Sequence, residues 1–169
     1  MTATAPNPGL PSNQRTTQFS WARLDQLSGA QFHQIMAARI AVFVVEQNCP
    51  YQDADELDAC SSHLSAQIDG RLAGYLRIVD PGCKYPEPSI GRVLTTPAFR
   101  GLGVGRRLMA EALRQAEQDF PGAAIRISAQ AYLLDFYVSF GFETVGVGYL
   151  EDGIPHWEML RPARSDAVV

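Results

Sequence analysis

The sequence predicts an α/β fold, a mixed central sheet flanked by helices. Two observations carry that prediction. Strand-like and helix-like stretches alternate along the chain, and a strand at Ile90 to Thr96 runs through a glycine-rich loop into a long amphipathic helix. With 169 residues the chain has the length of one domain with a sizeable core.

Residues 1–17, rich in Pro, Asn, Thr and Ala, hold little that can enter a core and read as a flexible leader before a single domain over 18–169. Phe19 to Leu24 reads as a first strand. Ser28 and Gln31 form a capping box ahead of Phe32, Ile35, Met36, Ile40 and Phe43 at helical spacing, which predicts a helix packed on the core. His63 to Ile68 alternates apolar and polar residues, Asp69 and Gly70 supply a tight turn, and Arg71 to Val79 alternates back: a β-hairpin. Pro81 to Pro88, with three prolines and a glycine, is a loop. Val104, Leu108, Ala112 and Ala116 share one helical face, Pro121 and Gly122 end that helix, and Ala124 to Ala129 is an apolar strand.

Composition narrows the function. A net charge of −4 and a pI near 5.3 argue against nucleic acid and favour a cationic or neutral substrate. No apolar run approaches the roughly 20 residues that span a bilayer and no secretory pattern opens the chain, so the expectation is no membrane and a cytoplasmic location. Cys49, Cys60 and Cys83 lack CxxC spacing, which predicts reduced structural thiols and neither a disulfide framework nor a zinc site.

The loop after Thr96 carries the chemistry. Gly101, Gly103 and Gly105 turn the chain tightly and leave successive amides free to converge on oxyanions, and the helix after them adds its unpaired N-terminal amides. Arg100, Arg106 and Arg107 add positive charge. A nucleotide P-loop is excluded because no Lys followed by Ser or Thr succeeds the glycines. A dinucleotide fingerprint fits poorly, since Arg106 stands where its third glycine belongs. The remaining pattern is RxxGxG, from Arg100 through Gly103 to Gly105; a plain strand-to-helix turn is the bland alternative.

That loop resembles the pyrophosphate loop of the GNAT (GCN5-related) N-acyltransferases, and about thirty residues on Gln130 to Phe142, QAYLLDFYVSFGF, resembles their second signature. Three further stretches are similar to the ElaA family of GNAT proteins: AVFVVEQNCPYQD at 41–53, IGRV at 90–93 and EDGIPH at 151–156. The resemblance runs from about Phe19 to Arg161 and implies the GNAT fold.

It further implies transfer of an acetyl group from acetyl-CoA (coenzyme A) to an amine by direct attack, the acceptor being a small molecule or a protein amino group. In the family, amides of the loop Arg100, Gly101, Leu102, Gly103, Val104, Gly105 and Arg106 bind the pyrophosphate, and the strand residues Val93, Leu94 and Thr95 pair with the pantetheine arm. The Leu94 amide is placed as the oxyanion donor. Gln130 takes the place of an asparagine that touches cofactor or substrate, and Tyr137 that of the tyrosine that protonates the departing thiolate. Glu46 is the leading base for the amine, with His63 and His156 as alternatives. A homodimer is compatible with this reading.

Each of these residues has a structural alternative. Tyr137 can be a packing residue beside Phe136 and Phe140, Glu46 a solvated charge, and either histidine a satisfied structural group. Asp53, Asp55, Glu56 and Asp58 read as a solvated loop before they read as an attractor for a cationic amine; Glu151 and Asp152 are placed near the same mouth. From another class, a non-catalytic acetyl-CoA-binding sensor or regulatory module would keep the loop without the chemistry.

Overall fold

The computed structural model describes residues 16–163, so the leader expected over 1–17 lies almost wholly outside the described residues. Asp69 and Gly70 turn with both residues in the left-handed region (φ 51° and 71°), whose twist matches antiparallel strands. They join β2 (Ser61–Ile68) to β3 (Arg71–Val79) in the expected hairpin. β3 is buried at every position from Ala73 to Val79, as a strand is when both faces of its sheet are covered.

Around this hairpin are β1 (Gln18–Arg23), β4 (Ser89–Thr95), β5 (Ile125–Gln130), β6 (Glu143–Glu151) and β7 (Ile154–Arg161). Seven strands run in the order β1-β2-β3-β4-β5-β7-β6. β4 and β5 are parallel and the other neighbours antiparallel, which is the mixed sheet the sequence predicts.

Alternation along β3 divides the core. Leu76 and Ile78 pack with Leu108 and Met109 of α2 (Val104–Asp119), whereas Tyr75 packs with Ile35 of α1 (Gly29–Arg39) on the other face. At Gly74 a Cβ would lie 2.6 Å from Leu108 Cδ1 and 2.9 Å from the Leu94 carbonyl oxygen, so a residue without one lets α2 settle against the sheet. The helical face Val104, Leu108, Ala112 and Ala116 is buried as predicted, and Met109 joins it.

Two expectations are corrected. α1 begins on the Ser28–Gln31 capping box but ends at Arg39, and the chain widens into a π-helical segment, Ile40–Glu46. Three valines and an isoleucine there are β-branched and crowd an α-helical turn, and the wider coil leaves Ile40 44% exposed rather than in the core. Residues 143–161, to which the sequence reading assigns no strands, form the β6–β7 hairpin, closed by Asp152 and Gly153 at φ 49° and 78°.

Candidate active site

Parallel strands β4 and β5 meet at Ser89 opposite Arg126, and among the described residues no further register pair joins them. Past that point they border a cleft of about 620 Å³, lined by Val93, Leu94 and Thr95 on one side and Ser128 and Gln130 on the other. β4 is also bulged. Tyr75 of β3 stands opposite Leu94 and Arg77 opposite Gly91, so β4 advances three residues where β3 advances two. Within that step Arg92 adopts φ 55°, a left-handed value uncommon in residues other than glycine, asparagine and aspartate.

The glycine loop leads from this strand into α2. Gly101 and Gly103 take φ 77° and 72°, and Gly103 is the residue from which α2 starts. A Cβ at either would meet nothing within 4 Å, so the loop faces open space beside the helix's unpaired amides, which fits a pyrophosphate. At Gly105 a Cβ would already touch Thr95 Oγ1 (3.6 Å) and Phe136 (3.9 Å). Val104 is buried, anchoring the loop, and Leu102 is 41% exposed. Arg106 lies over Phe136 and Phe140 and donates to Ser139 Oγ at 3.2 Å. Arg100 reaches across the cleft mouth, its Nη2 donating to Glu46 Oε2 at 2.9 Å.

Tyr137 lies in α3 (Leu134–Val138), 6% exposed, on the cleft wall. Phe136 and Phe142 meet its ring edge-on. Burial pushes its phenol above the ordinary value, so it keeps its proton at neutral pH. Gln130, at the end of β5, donates to Gln47 Oε1 at 3.1 Å and so links β5 to the segment after the π-helix.

The acidic stretch after that segment is solvated only at Glu56. Asp53 and Asp58 are buried, and the run is held by three arginines. Arg39, 0% exposed, donates through Nε to Asp53 Oδ2 and through Nη1 to Asp58 Oδ1, both at 2.7 Å, and through Nη2 to the Asp53 carbonyl. Arg77 pairs with Asp55 and Asp58 at 2.6 Å, and Arg92 with Asp53 at 2.7 Å. Burial raises Asp58, but the Arg39 and Arg77 guanidinia outweigh it and hold its carboxyl below the ordinary range. Three of the four carboxylates thus face three guanidinia, and the fourth, Glu56, is exposed. Glu151 and Asp152 do line the cleft, as expected.

The structure separates the two candidate histidines. His63 is 1% exposed and does not line the cleft. Its Nε2 donates to the Asp58 carbonyl at 3.0 Å and its Nδ1 accepts from Tyr75 at 2.7 Å, so both nitrogens are engaged in a neutral ring, which burial keeps from protonating. His156 stands on the cleft wall, opposite Gln130 of β5 and stacked on Tyr149. Its Nδ1 lies 2.8 Å from the Ile154 carbonyl and therefore donates; in the neutral ring Nε2 is left as acceptor, 4.0 Å from Glu151 Oε2. Beside it Tyr149 and Ser128 hydroxyls are 2.6 Å apart, and Ser128 donates to Glu151 at 3.3 Å.

An open strand edge and a buried tyrosine share one cleft, and Arg100, at the start of the glycine loop, lines it too. A family model described as an acetyltransferase (GNAT) domain matches residues 27–161, and the chain belongs to that family. It is accordingly an acyltransferase whose fold implies acyl-CoA as substrate and an acceptor to receive the group. Its relatives include the ElaA proteins. ElaA of Escherichia coli K12 is 41% identical over 138 residues, 80% of this chain and 90% of ElaA. The crystal structure of E. coli ElaA superposes with TM-score 0.81 at 38% identity, covering 86% of this chain and 99% of that one. An acyl-CoA N-acyltransferase from Pseudomonas aeruginosa gives TM-score 0.82 at 40% identity, with the same coverage.

The three cysteines are free thiols. Among the described residues no group of three His, Cys, Asp or Glu can hold a metal, and no helix is long and apolar enough to cross a membrane.

Proposed function

We propose that the protein is an acetyl-CoA-dependent N-acetyltransferase that acts on an amine, either a small molecule or a protein amino group. The observation that carries the reading is the convergence of Val93 to Thr95, Arg100 and Tyr137 on one cleft. The acetyl group follows the family's description, and the exposed acidic pair Glu151 and Asp152 at the mouth suits a cationic acceptor.

Acyl-CoA supplies the activated acyl group. The loop from Arg100 to Arg106 would hold its pyrophosphate through backbone amides and Val93 and Thr95 its pantetheine arm, whereas Leu94, paired with Tyr75, turns its amide toward β3 and is not the oxyanion donor expected from the sequence. Gln130 orients the bound thioester, with Gln47 fixing its amide. Tyr137 holds the proton that the sulfur receives. His156 takes the proton from the attacking amine, because its Nε2 is left as acceptor, while Glu46 is engaged by Arg100 and is the second candidate. Three free thiols suit a reducing compartment, the cytoplasm.

The test is thiol release from acetyl-CoA in the presence of a panel of primary amines. Amine-stimulated release, reduced by at least roughly 10²-fold in His156→Gln and much less in Glu46→Gln, is the expected result. Tight acetyl-CoA binding with no amine accelerating thiol release would identify a non-catalytic sensor instead.

A further inference from the structure

The buried charge network reaches the cleft at Asp55, Arg77 and Arg92, and of these Arg92 lies on β4. This residue belongs to the β4 bulge at φ 55°, a backbone conformation that L-residues disfavour, so something must hold it there. Its Nε donates to Asp53 Oδ1 at 2.7 Å, its Nη2 reaches the Asp53 carbonyl at 3.4 Å, and Asp55 Oδ2 lies 3.5 Å from the same nitrogen. The guanidinium sits over the rings of Phe43 and Tyr51, at 5.8 and 5.6 Å from their centroids.

The far end of this clamp is fixed. Arg39 holds the other Asp53 oxygen and the Asp53 carbonyl, both at 2.7 Å, and Tyr51 donates to Oδ1 at 2.8 Å. Arg39 is in turn anchored on Asp58. Asp53 therefore cannot drift with Arg92; it defines where the guanidinium goes. Arg92 leads directly into the cleft-lining segment Val93 to Thr95. In a strand, a slip of one residue turns every later group to the opposite face.

We infer that Arg92 is a positioning residue: clamped by Asp53 and Asp55, it holds the β4 bulge and thereby sets which groups of Val93 to Thr95 the cleft presents to acyl-CoA. This rests on the reading that the β4 segment receives acyl-CoA. It also ties β4 to the segment around Tyr51 and Asp55, which line the cleft themselves.

Arg92→Ala and Arg92→Gly separate the backbone from the side chain. Both lose the ion pairs and melt lower than the native protein. Glycine occupies positive φ freely, whereas alanine keeps the conformational penalty with nothing to hold it. Isothermal titration with CoA is expected to show affinity roughly tenfold weaker in Arg92→Ala, with Arg92→Gly recovering most of that loss. Native affinity in Arg92→Ala would overturn the inference, and so would equal weakening of both variants, which would make the guanidinium a direct ligand. Should Arg92→Ala not fold, Arg92→Gly decides alone: a tenfold loss there overturns the inference and near-native affinity supports it. A native protein that does not bind CoA would instead refute the cofactor reading itself.

Discussion

Replacing Arg39 by Met removes the centre of the buried network and leaves its volume filled. The guanidinium is 0% exposed and makes three bonds of 2.7 Å, to two carboxylates and one carbonyl. Removing one partner of a buried pair costs about 3–5 kcal/mol, because the other charge is stranded. Here neither carboxylate is left alone: Asp58 keeps Arg77 at 2.6 Å, and Asp53 keeps Arg92 and Tyr51 at 2.7 and 2.8 Å. That places Arg39→Met at the lower end, about 3 kcal/mol, or a fall in Tm of about 6–12 °C for a chain of this size. Arg39→Lys should fall between, since one ammonium cannot span acceptors on both aspartates. Thermal and urea unfolding followed by circular dichroism at pH 7.5 measures both. A loss below about 1 kcal/mol in Arg39→Met would refute the argument, showing that the remaining arginines satisfy the carboxylates unaided.

Tyr137→Phe should lower kcat by roughly 10²-fold with little change in CoA affinity, and an unchanged turnover number across pH 6–9 would sink the acid role. Gly74→Ala drives a methyl against the Leu94 carbonyl at 2.9 Å, a backbone atom that cannot swing away, and should cost about 1–3 kcal/mol in urea unfolding; a neutral result would mean that β4 as well as α2 gives way freely. Burial holds His63 below its ordinary pKa, with Asp58, Arg39 and Arg77 facing it, so the unfolded chain takes up this proton first and stability should fall as pH drops below about 6.5. Asp55 and Asp58, held low by their arginines, should keep their contribution until about pH 4 and lose it below, so His63→Gln should flatten only the upper part of the pH–stability curve.

What the sequence shows is what local pattern can encode. The Asp69–Gly70 hairpin, the Ser28 cap, the buried face of α2 and the glycine loop each rest on residues within a few positions of one another. The π-helical segment escapes because Ile40 and Phe43 fit an α-helical spacing equally well. β6 escapes because it is an edge strand, exposed nearly throughout, and Gly146 and Gly148 break its alternation, Trp157 lying against Gly148. Its turn residues, Asp152 and Gly153, did carry a hairpin signal of the same kind as Asp69 and Gly70. The charge network escapes for a different reason. Its partners lie 14, 19, 22 and 39 residues apart, and an aspartate paired across such distances looks in sequence like one that faces water.

The central claim is that the cleft beside the Arg100 loop holds acyl-CoA. A thermal-shift comparison of acetyl-CoA, CoA, ATP and NAD tests it most directly, since a ligand at about 100 times its Kd stabilises by about 2.7 kcal/mol, or about 5–11 °C here. The account predicts shifts of that size with acetyl-CoA and CoA and none with ATP or NAD. No shift with either thioester or thiol, or an equal shift with all four, would contradict it.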